Sequence, residues 1–116
     1  MLARSFRLYK KRDIQKVYKS TLTNGTRFFY VRALVNRTNQ PRLAVVIGKK
    51  VAKKAVVRNR LRRLVHQAFQ ELMTDPNFLS KVSKYDLLLT IHHDPDPPYS
   101  LERIKSETVT CFAKLP

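Results

Sequence analysis

Arg58, Asn59, Arg60, Arg62 and Arg63 put four guanidinium forks and one amide into six consecutive positions. Each fork can hold two phosphate oxygens at once. The amide of Asn59 can donate to a phosphate or sugar and accept from a base or a 2′-hydroxyl. On composition alone it reads equally well as a tolerated surface residue. Just upstream, Lys49, Lys50, Lys53 and Lys54 add four point charges, and no acid interrupts the stretch from Lys49 to Arg63. An ordinary surface mixes both signs. This one calls for a polyanion.

The rest of the chain supports that. The net charge is +16, and residues 1–70 carry 19 of the 24 Lys and Arg with a single acid, Asp13. Self-repulsion on that scale opposes compaction unless a partner neutralises it. Nucleic acid is the expected partner. A membrane surface is not, because the bases alternate with strand and core patterns instead of lining one long amphipathic helix. Phe28, Phe29, Tyr30 and Tyr18 lie near Arg27, Arg32 and Lys19, a mixture suited to single-stranded RNA, whose bases stack while its phosphates meet cations. The competing reading makes these aromatics core residues, and the sequence does not choose for Phe28 and Tyr30.

Catalytic equipment is harder to find. His66 has no serine or cysteine nucleophile in an identifiable motif. His92-His93-Asp94-Pro95-Asp96 lacks a second ligand cluster and reads as a turn. One acid in the basic half cannot build a two-metal nuclease site. No catalytic residue and no protein metal site are therefore expected. Cys111, the only cysteine, falls on an apolar helical pattern and is expected to be a buried structural thiol. No apolar run reaches the length of a membrane span, and Met1-Leu2-Ala3-Arg4 runs straight into charge, so a cytoplasmic protein is expected.

Positioning these groups needs one small domain over residues 1–116. Ile14, Val17 and Tyr18 repeat at helical spacing and predict a short helix over 12–19. Asn24-Gly25 signals a turn. Residues 26–35 and 42–47 predict two strands, expected to pair as an antiparallel hairpin. In the first, Phe29, Val31, Ala33 and Val35 share one face and Phe28, Tyr30, Arg32 and Leu34 the other. Residues 55–73 predict the main helix, with Val57, Leu61, Leu64, Val65, Ala68 and Leu72 toward the core. Asn59, Arg63, His66 and Gln70 are expected opposite, beside Arg62. Arg58 and Arg63 fall off the apolar face and are expected to be dispensable for folding. Asp75-Pro76 stops that helix. Residues 85–91, with Leu87-Leu88-Leu89, predict a strand buried on both faces. Ser100 is expected to cap a last helix. The order is α-β-β-α-β-α, an α+β fold with one sheet.

The stretch Lys49-Lys50, Ala55-Val56-Val57, Arg58-Asn59-Arg60-Leu61-Arg62-Arg63 resembles the signature of the bacterial ribonuclease P protein family. So does Arg7-Leu8-Tyr9-Lys10-Lys11-Arg12-Asp13-Ile14-Gln15-Lys16-Val17-Tyr18 near the start, and Arg27-Phe28-Phe29 fits the family's first strand. The resemblance implies an α/β sandwich like the second domain of ribosomal protein S5, with a left-handed βαβ crossover where a right-handed one is the general rule. It implies a helper subunit: a catalytic RNA removes the 5′ leader of precursor tRNA by Mg²⁺-dependent hydrolysis, and the protein, as a monomer in the particle, assists. Carried over, Lys49, Lys50, Lys53, Lys54, Arg58, Asn59, Arg60, Arg62, Arg63 and His66 contact the catalytic RNA. Ile14, Tyr18 and Phe29, with Arg32 at the edge, line a cleft for the leader. Ile14 and Arg32 stand where the family has aromatics, and His66 where it has arginine, which would make that contact pH-sensitive. A structural RNA-binding protein of ribosomal type is the alternative; it would share the charges and lack the cleft.

Overall fold

Leu87, Leu88 and Leu89 are apolar on both faces of any strand that contains them, so that strand must lie inside the sheet. The computed structural model, which describes residues 2–116, has this arrangement. Four strands, β1 (Leu22–Gly25), β2 (Phe29–Val35), β3 (Arg42–Ile47) and β4 (Tyr85–Ile91), form one sheet in the order β1-β2-β4-β3. The expected β2–β3 hairpin is absent, because β4 takes the place between them. β2 runs antiparallel to β4 with Val31 opposite Leu89, and β3 runs parallel to it with Val45 opposite Leu89. A parallel pair needs a long crossover, and α2 (Ala55–Leu72) supplies it together with α3 (Pro76–Val82).

Two further elements escaped the sequence. Leu22–Gly25 is a strand, paired antiparallel with β2, and the reversal follows it at Thr26, whose N–H donates to the Phe29 carbonyl at 2.8 Å. Asp75-Pro76 ends α2 as expected but also starts α3. The Asp75 carboxylate accepts from the Asn77 N–H, and Pro76 occupies a first-turn position where its missing N–H costs nothing. The other helices are α1 (Lys11–Tyr18) and α4 (Leu101–Phe112), the latter capped by Ser100 as expected.

The pleat divides the sheet into two unequal faces. Phe29, Val31, Ala33, Leu43, Ile47, Leu87, Leu89 and Ile91 meet Leu61, Val65, Ala68 and Phe69 of α2 and Ile104, Cys111 and Phe112 of α4 in the main core. The Cys111 thiol is buried there, and desolvation, helped by Glu107, pushes it up to about 12. It is an inert packing group. On the other face α1 is held by a much smaller cluster, Leu8 and Val17 against Ala44 and Leu88, with Ile14 and Leu34 at its margin.

A polar strut reinforces this thin layer. Arg42 donates to both Asp86 oxygens, at 2.8 and 2.6 Å, and reaches Asp13 of α1 at 3.5 Å. Asn36 donates to Asp86 Oδ1 at 2.9 Å, which ties the β2–β3 loop to the same carboxylate. The lone acid of the basic half thus fastens α1 to the sheet. Asp86 is only 5% exposed, and its removal would strand a partly buried guanidinium. Asp86→Ala is expected to cost about 3 kcal/mol, read as a drop of the thermal midpoint on the order of 12 °C.

Residues 2–8 wrap the free edge of β3. Leu2 and Phe6 join the main core and Leu8 joins the α1 cluster. Between them Arg7 bridges to Leu43 in parallel fashion, and the Leu8 N–H donates to the Leu43 carbonyl at 2.8 Å. This strap covers an edge that would otherwise be open to other chains.

Candidate nucleic-acid interface

α2 divides its basic residues among three tasks. Asn59, Arg60 and Arg63 are exposed and share a shallow concavity with Val56, Leu64 and Gln67. Arg62 is half-buried and donates to Asn59 Oδ1 at 3.1 Å, which fixes the amide's orientation. Arg58 turns back. Its guanidinium donates to the carbonyls of Ala52 and Lys53 at 2.8 and 2.9 Å. It therefore shapes the loop that carries the exposed Lys49, Lys50, Lys53 and Lys54. These two bonds count against the expectation that Arg58 is dispensable for folding. Off the apolar face did not mean off the fold.

His66 is the second correction. It was expected on the exposed side with Asn59 and Arg63, but it is 6% exposed and its Nδ1 has no hydrogen-bond partner among the described residues. Burial, then the charges of Arg7 and Arg62, hold it below the ordinary histidine value of 6.5. Arg7 belongs to the strap, which no helical periodicity could reveal. A histidine kept neutral in the folded state favours unfolding once it protonates. Stability is therefore expected to be level above about pH 6.5 and to decline as pH falls below it, toward the lower folded value. Urea unfolding midpoints between about pH 7.5 and 5.5 check this. The slope should flatten in His66→Gln.

Across the sheet lies a groove of about 330 Å³ walled by Tyr18, Tyr30, Arg32, Thr90 and His92. Tyr18, at the C-terminal end of α1, is 63% exposed. The Arg32 guanidinium carbon lies 4.9 Å from the centre of the Tyr18 ring and 5.3 Å from that of Tyr30, a cation between two aromatic faces. Tyr30 and Thr90 are paired across the β2–β4 ladder and form the floor. Ile14 packs into the α1 cluster instead of the groove. Phe29 is a further correction beside Ile14. It was grouped with Tyr18 and Arg32, yet it is fully buried in the main core on the opposite face. Thr90 and His92, which the sequence reading did not place here, complete the groove with Tyr30, which it left open between groove and core. Alternation alone could have settled Tyr30, since Phe29 and Arg32 are three apart and must point to opposite sides.

The groove and the lysine loop lie at one end of the sheet. Ile47, the last residue of β3, pairs with Ile91, next to His92 and opposite Phe29. The loop leaves from there into the start of α2. Positive charge thus runs from α2 through the loop lysines to the mouth of the groove. Among the described residues no group of three or more His, Cys, Asp or Glu could hold a metal ion, and no helix is long and apolar enough to cross a membrane.

Fold and surfaces together define the class: a small α+β sandwich with basic residues along one helix and an aromatic groove on the far side of its sheet. The chain belongs to the ribonuclease P protein family, since the Ribonuclease P family pattern matches residues 2–115. A ribonuclease P protein component from Clostridium kluyveri is 31% identical over 72% of this chain and 70% of its own length. One from Lactobacillus johnsonii is 36% identical over 61% of this chain, a match spanning 59% of that relative. Among solved structures, the ribonuclease P protein from Thermotoga maritima superimposes with a TM-score of 0.76, 18% identity, and coverage of 95% of this chain and 97% of its own. A Staphylococcus aureus ribonuclease P protein mutant gives 0.76 at 22% identity, covering 97% and 92%. At such identities the structural likeness establishes the fold.

Proposed function

We propose that this chain is the protein subunit of ribonuclease P. Its α2 face and lysine loop bind the catalytic RNA, and its groove binds the single-stranded 5′ leader of precursor tRNA. The observation that carries this reading is the Tyr18–Arg32–Tyr30 groove, open on the sheet face away from the main core and next to the lysine loop. A purely structural RNA-binding protein has no need of it. Bases stack on Tyr18 and Tyr30, and Arg32 meets a phosphate between them. Arg60, Arg63 and the loop lysines neutralise phosphates of the catalytic RNA. Among the described residues no group of three or more His, Cys, Asp or Glu could hold Mg²⁺; in this reading the RNA would hold the ion, which would supply charge stabilisation for the hydrolysis there. The protein's share is binding and orientation, one copy per particle in the cytoplasm.

If about six bases neutralise phosphates, affinity for the RNA falls roughly a thousandfold between 50 and 200 mM salt. The decisive experiment measures precursor-tRNA cleavage at physiological Mg²⁺ by the cognate catalytic RNA, with and without this protein. Stimulation that grows with the presence of a leader is the expected result. Binding without leader-dependent stimulation leaves a structural RNA-binding protein. Cleavage by the protein with no RNA subunit overturns the reading altogether.

A further inference from the structure

The strap over residues 2–8 meets the sheet at an isolated bridge, Arg7 beside Leu43. The Leu8 N–H donates to the Leu43 carbonyl at 2.8 Å, and Gln40 Nε2 donates to the Ser5 carbonyl at 2.9 Å. Within the strap only Leu2 and Leu8 are buried. A segment with so little backbone pairing and so few buried side chains opens at a lower free energy than the whole fold.

Leu8 points to the α1 face of the sheet, where it packs with Val17 and Leu88. Its neighbour Arg7 therefore points to the α2 face. Its bridge partner Leu43 faces the same way, into the main core with Leu61 and Val65. The Arg7 Nε is buried there with no hydrogen-bond partner among the described residues. His66, next to Val65 on α2, is buried too, and its Nδ1 is equally unpartnered. Strap and helix thus each carry a polar atom that was desolvated without gaining a bond.

The charges that act on His66 share one sign. They come from Arg7 on the strap, from Arg62 one turn back on α2, and from the amino-terminal group. Leu43 and Ile47 on that face of β3 are apolar. Among the described residues no carboxylate pairs with Arg7 or Arg62. Closed, the strap tolerates only the neutral imidazole. Opened, the ring meets water and takes a proton as an ordinary histidine does.

We propose that the strap is an acid-released latch: protonation of His66 lifts Arg7 and its neighbours off the β3 edge while the rest of the sheet and α2 stay folded. The closed state holds the ring neutral, so opening takes up a proton. The latch is therefore indifferent to pH above about 6.5 and opens more readily as pH falls below it, until the closed form protonates as well. An open latch bares the outer edge of β3 (Arg42–Ile47) and offers its backbone to another strand.

Amide hydrogen exchange on the full-length protein, followed residue by residue by NMR, tests this. Protection factors divide out the intrinsic pH dependence of exchange. The Leu8 amide reports the latch, and the amides of β4 report the whole fold. Between about pH 7.5 and about pH 5.5 the Leu8 protection factor should fall about tenfold. Low urea should speed exchange in β4 and leave Leu8 unchanged, because a local opening exposes little surface. His66→Gln should make Leu8 protection independent of pH. Arg7→Met keeps an apolar stem and removes the charge, so it should shrink the tenfold ratio.

A Leu8 protection factor that ignores pH overturns the proposal, since the strap would then open without uncovering His66. A Leu8 amide with the same urea slope as β4 overturns it as well, since the strap would then leave only when the whole chain unfolds. The full tenfold response in His66→Gln would put the titrating group elsewhere and sink it too. Should that variant fail to fold, the wild-type pH and urea series decides alone.

Discussion

Phe29→Ala is expected to destabilise the protein by about 4 kcal/mol, the cost of an aromatic-sized cavity in a packed core. Phe29 has no exposed surface and lies among Val31, Leu89, Ile91 and the residues of α2 and α4. For a domain with on the order of 5–15 kcal/mol of total stability that is a large fraction, visible as a shifted urea midpoint. Tyr30→Ala, one position along, is expected to do the reverse. It removes a half-buried groove wall, so stability should change by about 1 kcal/mol or less, while leader-dependent stimulation of cleavage falls. The pair separates the two faces of β2. Phe29→Ala protein that stays stable and loses leader discrimination would mean that the sheet faces have been exchanged.

Arg60→Ala combined with Arg63→Ala is expected to lower affinity for the catalytic RNA about a hundredfold at moderate salt. Two charge-assisted contacts at roughly 1.5 kcal/mol each account for that. The log–log salt slope should fall by about 1.8, at roughly 0.9 per phosphate on a duplex. Both side chains are exposed and accept or donate no hydrogen bond within the described residues, so the fold should be untouched. Arg58→Ala should behave differently. Releasing the Ala52 and Lys53 carbonyls loosens the loop, so it should reduce stability as well as RNA affinity. A circular-dichroism melt alongside each binding curve distinguishes the two effects. Unchanged RNA affinity in the Arg60/Arg63 double variant would move the interface off α2.

Local pattern was enough for much of this. The helical repeat of Leu61, Val65 and Ala68 gave α2 within a residue of its observed end, because an amphipathic face is a property of a contiguous segment. The doubly apolar Leu87–Leu89 run marked β4 as interior, and Ser100 marked the start of α4, for the same local reason. Charge density along Lys49–Arg63 pointed to a polyanion without any structure. Even the true groove residue on β2 was legible: alternation puts Tyr30 with Arg32 and sends Phe29 to the other side.

Tertiary structure alone decided what comes together across the chain. That β4 separates β2 from β3 depends on which strand most needs burial on both faces, a comparison among segments and not a property of any one. His66 is covered by a strap that starts some sixty residues earlier, and Arg58 is spent on carbonyls of the loop before its own helix. The sequence by itself determined the longer elements, though not β1 or α3, together with the charge and the basic helix, since these depend on neighbours within a few turns. Which cations face solvent, which aromatics stay open, and where α1 leaves a groove against the sheet were settled by packing. Burial is set by contacts between residues far apart in the chain, and no local pattern encodes them.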